Sequence, residues 1–228
     1  MLRLLIDREV RSGDGAILPL IAAATAARIP VERVPRSRLD AIHDRHQGVA
    51  VEVAEFAYAP LDALIGALRR AGDAGLVLVL DELQDPQNVG TLLRTALAVG
   101  VTGIVVPERR AAPITSAVVR SSAGAAEHLT IVQVPNLVRA LDRLKTVGLW
   151  VVGLDLRGKL PYDQADLHGP VAVVVGSEGR GLRRLVRERC DITIHLPMTG
   201  PTESLNAAVA GSIALYHISR SHARPPTT

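Results

Sequence analysis

Three short segments hold the residues of this 228-residue chain whose types and spacing could do chemistry. The first is LDELQDPQNVGTLLRTALAVG (80–100), which offers the amide of Asn88 and the guanidinium of Arg94. An amide donates and accepts, and a guanidinium fork matches a phosphate or carboxylate. The second, VAVVVGSEGRGLRRLVRERCD (171–191), ends an apolar run in Gly176-Ser177-Glu178-Gly179-Arg180-Gly181. Glycines there permit unusual backbone angles and close approach of a ligand to main-chain amides. Glu178 is a candidate acid or positioning residue. The loop lacks the Gly-Lys-Ser/Thr of a Walker A sequence, and its glycine spacing is wrong for the dinucleotide fingerprint. The third, HLPMTGPTESLNAAVAGSIALYHI (195–218), places Ser204 and Asn206 ahead of a run of small and apolar residues. They read equally as helix caps or as site residues.

The elements that position these residues follow from apolar patterning. LVLVLD (76–81), GIVVP (103–107), TIVQV (130–134), LWVVGLD (149–155), VAVVVG (171–176) and ITIHL (192–196) are short apolar runs separated by helical stretches or loops. Continuous apolar strands alternating with helices indicate an α/β fold with a parallel sheet covered on both faces. Ligands in such sheets bind at the carboxyl ends of strands. Asp85 is a plausible N-cap with Pro86 at the first helical position, and Gly100 is a natural stop. Val89, Leu92, Leu93, Ala96 and Leu97 form the expected buried face. Asn88 and Arg94 then lie about 120° apart on an ideal helix, so both the exposed, ordinary reading and the site reading stay open. In the glycine segment a helix is expected after the loop. Arg180, Arg183, Arg184 and Arg187 would share an arc of roughly 100° opposite Leu182, Leu185 and Val186. That stripe reads as a solvated face or as a polyanion contact. The final helix is apolar around nearly its whole circumference, which predicts burial on all sides, one of them against a second subunit.

Before residue 76 lies a smaller pattern: a strand in LRLLI (2–6), a glycine turn at Gly13 to Gly15, and a helix near Leu18 to Arg28. VERV (31–34), a helix in RSRLDAIHD (36–44) and a strand in GVAVEVAEF (48–56) complete it. The expected organisation is a small α/β domain over 1–58, a helical linker over 59–72, and a larger domain over 73–228 with a frayed ARPPTT end.

Composition excludes several classes. Apolar types make up 48% and charged types 21%, so the chain is globular. Only Phe56, Tyr58, Trp150, Tyr162 and Tyr216 are aromatic, which disfavours binding single strands by stacking bases on rows of rings. Lys145 and Lys159 are the only lysines beside 24 arginines, at a formal charge of +3. Arginine excess keeps phosphate contact open, although genome composition explains it as well. Cys190 is alone, ruling out a disulfide framework, and it reads as buried and inert. His43 and His46 are the nearest histidine pair without a ligand cluster, so no metal site is expected. With no apolar run near the roughly 18 residues that span a bilayer and no signal-peptide pattern, a cytoplasmic protein is expected.

Together, QNVGTLLRTA (87–96), VVVGSEGRGL (173–182) and IHLPMTGPTESLNAAVA (194–210) resemble the three motifs of the SPOUT superfamily, in its SpoU/TrmH branch of RNA ribose 2′-O-methyltransferases. The resemblance covers 76–218, and residues 1–58 resemble the small RNA-binding domain of ribosomal RNA members, HQGVAVEV (46–53) being similar to its last strand. That domain usually has another helix before its first strand, so this one is expected to be shortened. The resemblance implies S-adenosylmethionine as cofactor and a trefoil knot formed after about residue 171. It implies a homodimer through the last helix, 204–219. Gly176, Leu196, Met198, Gly200 and Leu205 would hold the cofactor. Asn88, Arg94, Glu178, Ser204 and Asn206 would serve catalysis, with Arg94 and the arginines at 180, 183, 184 and 187 on RNA. The implied target is a guanosine of 23S ribosomal RNA. Transfer RNA, or a non-catalytic RNA-binding role in ribosome assembly, are the alternatives.

Overall fold

The computed structural model describes residues 2–9, 15 and 17–222, so most of the Gly13 to Gly15 turn and the ARPPTT end lie outside the described residues. The chain divides into two compact units, Met1–Phe56 and Ala57–Thr228.

In the first unit, β1 (Arg3–Asp7), α1 (Leu18–Ala26), β2 (Val31–Val34), α2 (Arg36–Asp40) and β3 (Val49–Glu52) build a sheet of order β2-β1-β3. Strand β1 pairs parallel with β2 and antiparallel with β3. Its period-2 alternation divides its side chains between two layers. Leu4 and Ile6 pack with Ile17 and Ala24, whereas Leu5 packs with Val34 and Leu39. The second helix stops at Asp40 instead of continuing to 44, where turns take over. His46 is buried: its Nδ1 accepts from Gly48 N at 2.8 Å, leaving Nε2 for Asp40 at 2.9 Å. It is a structural histidine that fixes the turn into β3.

The second unit contains α3 (Leu61–Ala71), β4 (Leu76–Asp81), α4 (Pro86–Val99), β5 (Gly103–Pro107), α5 (Ser116–Ser121), β6 (Ile131–Val134) and α6 (Leu137–Lys145). It continues with β7 (Trp150–Leu154), β8 (Leu160–Pro161), β9 (Val171–Gly176), α7 (Arg184–Arg187), β10 (Ile192–His195) and α8 (Ala207–His222). The strands form one parallel sheet of order β6-β5-β4-β9-β7-β10-β8. Every residue of β4 and β9 is buried, as their unbroken apolar runs require. The segment expected as a linker is instead an integral helix, because Leu64 and Leu68 of α3 enter the same core as Val77 and Val79.

Register sets the site. Asp81 pairs with Gly176 and Leu154 with Val175, so β4, β9 and β7 end side by side. Since β9 inserts between β4 and β7, their loops open at a point where strand order reverses, where crevices form. Helix α8 packs back over α4, with Gly211 against Leu92 and Val175, and Thr95 Oγ1 meets Ser212 Oγ at 2.9 Å.

Two helix expectations are corrected. Leu97 is 39% exposed, because α8 and α5 cover the other face of α4. The last helix begins at Ala207, not 204; within the single chain Ala208, Gly211, Ala214, Leu215 and Ile218 are buried, while Val209, Ile213 and Tyr216, on the side expected to meet a second subunit, are exposed.

Glycine at position 90 is demanded by packing. A Cβ there would stand 2.6 Å from Ser121 Cβ and 2.7 Å from Ser121 backbone carbon, where α5 crosses α4. Gly90→Ala should therefore lower stability by about 1–2 kcal/mol, since overpacking outweighs the roughly 1 kcal/mol gain in helix propensity. Urea denaturation should show a lower midpoint at an unchanged slope.

Candidate active site

The helix carrying the first motif starts as its sequence predicts. Asp85 Oδ1 accepts from Gln87 N at 3.0 Å, Pro86 follows, and Gly100 closes the helix in the left-handed region at φ +74°. This start places Asn88 in the first turn, where it is buried. A buried amide must find partners. Asn88 Nδ2 donates to Glu178 Oε1 at 2.9 Å, and its Oδ1 accepts from Asn206 Nδ2 at 2.9 Å. Asn206 Nδ2 also donates to Glu178 Oε1. Three motifs, separated by up to 118 positions, thus meet through three side chains.

Each partner is held by its own local structure. Glu178 sits in a tight loop in which Ser177 N donates to Gly181 O at 3.2 Å and Gly181 N to Ser177 O at 3.0 Å. Gly179 and Gly181 take φ of +75° and +65°, and a Cβ on Gly176 would stand 2.6 Å from Leu182 N. Glycine is needed because the loop folds back onto the strand end. Asn206 caps α8: its Oδ1 accepts from Ala208 N at 2.9 Å and Val209 N at 3.2 Å. With that oxygen committed, its NH₂ faces the cluster, so one side chain both caps α8 and bonds to Asn88 and Glu178.

Two cavities flank the cluster. The larger, about 440 Å³, is lined by Gly176, Leu196, Met198 and Leu205 of the expected cofactor set and by Glu178, Ser204 and Asn206 of the expected catalytic set. Gly200 does not line it. Sequence reasoning missed Asp155 and Leu156, which also line it; the signal was their place just past an apolar parallel strand. The second cavity, about 360 Å³, is lined by Asn88, Glu82, Gln84, Asp85 and Arg180, and shares Ser177 and Glu178 with the first. Arg94 lines neither: it is exposed and has no hydrogen bond or ion pair among the described residues.

The expected arginine stripe is not a helical face. Residues 177–183 form a loop, and only Arg184–Arg187 are helical. The loop is held by buried carboxylates instead. Asp81, fully buried, accepts from Arg183 N at 2.8 Å and Arg183 Nε at 2.6 Å. Burial pushes the Asp81 carboxyl above its ordinary range, against the pull of Arg183. Arg187 Nη2 donates to buried Asp155, and Arg184 pairs with Glu188 at 2.6 Å. Leu185, expected on the apolar side, is 54% exposed because the helix is a single turn. Burial also pushes the Cys190 thiol up to about 12, consistent with an inert side chain. Among the described residues no group of three His, Cys, Asp or Glu could hold a metal ion, and no helix is long and apolar enough to cross a membrane.

The larger cavity suits a nucleoside carrying a positive centre. Leu154, Leu156, Leu196 and Met198 offer apolar surface for a base, Glu178 offers negative charge, and no basic side chain lines it.

Comparisons with known proteins agree with this geometry. Residues 75–216 match the SpoU rRNA Methylase family, and residues 2–59 match the family described as RNA 2′-O ribose methyltransferase substrate binding. A Bacillus subtilis protein placed in the TrmH family of tRNA/rRNA methyltransferases, YacO, is 44% identical over 90% of this chain and 83% of its own. The SpoU methyltransferase AviRb from Streptomyces viridochromogenes, solved in complex with AdoMet, superposes with a TM-score of 0.77 at 28% identity, over 96% of this chain and 82% of that one. An AdoMet-bound rRNA methyltransferase from Sinorhizobium meliloti gives a TM-score of 0.74 at 25% identity, over 96% and 79%. With three motifs converging at a nucleoside-sized cavity and family matches along nearly its whole length, the chain belongs to the SpoU/TrmH family of S-adenosylmethionine-dependent RNA methyltransferases.

Proposed function

We propose that this protein methylates the 2′-hydroxyl of a guanosine ribose in 23S ribosomal RNA, in the cytoplasm. The observation that carries the reading is the Asn88–Glu178–Asn206 cluster, which forms the partition between a cofactor-sized cavity and a second cavity open to an acceptor. S-adenosylmethionine, when bound, supplies an electrophilic methyl group on a sulfonium. The protein's task is to orient a ribose hydroxyl in line with that methyl and to assist loss of its proton. Glu178 and Asn88 present oxygens and an amide at the partition, and Ser204, at the rim of the larger cavity, aligns the ribose. Gly176, Leu196, Met198 and Leu205, which line the larger cavity, hold the cofactor. Arg94, solvent-facing and unpaired among the described residues, clamps the phosphate beside the target ribose; guanidinium groups rarely give up a proton near neutral pH, which disfavours it as the base.

Ribosomal RNA is favoured because the match to the substrate-binding family occupies residues 2–59, and the solved rRNA methyltransferase superposes along 96% of this chain. A structure concerned with methylation of C/U34 on tRNA covers only 64%. The same reading takes the chain after residue 171 through a trefoil knot. Its support is the path from β9 past β7 to β10, then back to α8 against β9. It also makes the protein a homodimer through α8, where Val209, Ile213 and Tyr216 form an exposed apolar stripe.

Mass-spectrometric mapping of ribose methylation in total RNA with and without the gene should show one lost 2′-O-methylguanosine in 23S ribosomal RNA; a loss confined to transfer RNA refutes that target. In single-turnover methylation, Arg94→Ala should slow transfer at every pH, with Arg94→Lys partly retained and cofactor affinity unchanged. Wild-type rates in both refute the clamp. Asn88→Ala should cost on the order of 100-fold in rate, the scale of a misplaced reacting group, with cofactor affinity changed only a few-fold. Ile213→Glu with Tyr216→Glu should convert a dimer to monomer in sedimentation equilibrium.

A further inference from the structure

A third cavity, about 520 Å³, opens at the same edge of the sheet, past the ends of β5 and β6. Arg109, Arg110, Arg183 and Arg184 line it, Pro107 and Leu185 add apolar surface, and no carboxylate lies in its wall. The two cavities beside the cluster carry carboxylates instead, Asp155 and Glu178 in one and Glu82, Asp85 and Glu178 beside a single Arg180 in the other.

These guanidiniums differ in how firmly they are held. Arg183 is fixed by Asp81 and, at 3.6 Å, by Glu82. Arg110 reaches Glu82 at 3.2 Å with a side chain 71% exposed, and Arg184 pairs with Glu188 while 77% exposed. Arg109 is exposed and has no ion pair among the described residues. Exposed pairs of this kind contribute little and exchange readily, so Arg109, Arg110 and Arg184 can turn to a phosphate, which a guanidinium grips with two parallel hydrogen bonds. The first turn of α6, at Asn136 and Leu137, also lines the cleft and adds the positive end of a helix.

The backbone joins this cleft to the site. Glu82 and Arg110 are non-glycine residues at φ of +60° and +59°, just beyond the adjacent strands β4 and β5. Arg110 Nη1 donates to Glu82 Oε1, and Ala112 N donates to Leu83 O at 2.9 Å. Such strain persists only where surrounding contacts enforce it, and it gathers at functional sites. Glu82 lines the second cavity, whereas its partners Arg110 and Arg183 line the third. The three cavities therefore run in series: cofactor cavity, acceptor cavity, arginine cleft.

We propose that the arginine cleft binds the ribose-phosphate backbone of the RNA next to the acceptor nucleotide, with Arg109, Arg110 and Arg184 on phosphates and Leu185 against a neighbouring ribose or base. Its position along the RNA rests on the methyl-acceptor reading of the adjoining cavity. The test compares the full chain with an Arg109→Ala, Arg184→Ala variant, using fluorescence anisotropy on a labelled single-stranded oligoribonucleotide and on purified ribosomal RNA at several salt concentrations. The variant should bind roughly tenfold more weakly, with a log–log salt slope smaller by about two, one for each phosphate that the missing guanidiniums no longer neutralise. KM for RNA should rise while kcat and the calorimetric affinity for S-adenosylmethionine stay near wild type. Arg69→Ala with Arg70→Ala, exposed positions on α3, should change none of these. Wild-type affinity and slope in the cleft variant, or an equal loss in the α3 control, would overturn the proposal. A wild-type protein that binds as described yet methylates no ribose would instead refute the ribose-methylation reading and leave the cleft standing.

Discussion

The amide of Asn88 is the constraint on which the site depends. It is buried at the start of α4, where an unsatisfied polar group costs on the order of 1–3 kcal/mol. Satisfying it requires Glu178 and Asn206 to arrive together from loops 90 and 118 positions away. Neither arrives freely. Glu178 is delivered only if the Ser177–Gly181 turn closes, and Asn206 only if its oxygen is spent capping α8. The folding requirement and the chemical requirement are therefore met by the same hydrogen bonds, and the partition between the two cavities exists only when all three motifs are in place.

Beneath that cluster the sheet supplies a second, electrostatic constraint. Asp81 ends β4 in complete burial, and an unpaired charge there would be costly. Arg183 compensates with both main-chain and side-chain donors, which fixes the end of the glycine loop over the strand that carries Asp81. Asp155 and Arg187 do the same at the end of β7. Two buried carboxylates at strand ends thus anchor the loop at Arg183 and Arg187. The segment read as a free arginine stripe is for this reason mainly an anchor.

The strands were legible because burial on both faces leaves an unbroken apolar signature; LVLVLD, GIVVP and VAVVVG coincide with β4, β5 and β9. The α4 caps were legible for a similarly local reason, since Asp-Pro at one end and glycine at the other act through their own backbones. The path after Gly176 was not. Helical spacing predicts an arginine face only if a helix forms, and turns closed by Gly179 and Gly181 deny it. Leu97 was misplaced because sequence shows that a residue is apolar, not which neighbour covers it. Asn88, Glu178 and Asn206 were chosen through the ordered motifs, whose meeting point depends on long-range contacts that no local pattern contains. The arginine cleft was only half legible: Arg183 and Arg184 stood in the expected stripe, whereas Arg109 and Arg110 come from a separate segment that lies in no recognisable motif.

The position of Arg94 narrows what it can do. Six residues along α4 from Asn88, it is displaced by about 9 Å of helix rise and by about 120° of rotation. It therefore cannot join the hydrogen-bonded cluster, whose three side chains bond to one another without it. Nor does it contribute to either cavity wall. A group so placed acts only on something that enters from solvent, and a guanidinium acting on an incoming nucleic acid meets phosphate first. Proton removal calls for a group that already faces the hydroxyl across a short, fixed distance. Among the side chains at the partition, Glu178 alone is an acid, and its oxygen is already shared by two amides. On the proposed reading holding is thus kept apart from deprotonating: Arg94 would take the first task, and the partition would orient the ribose.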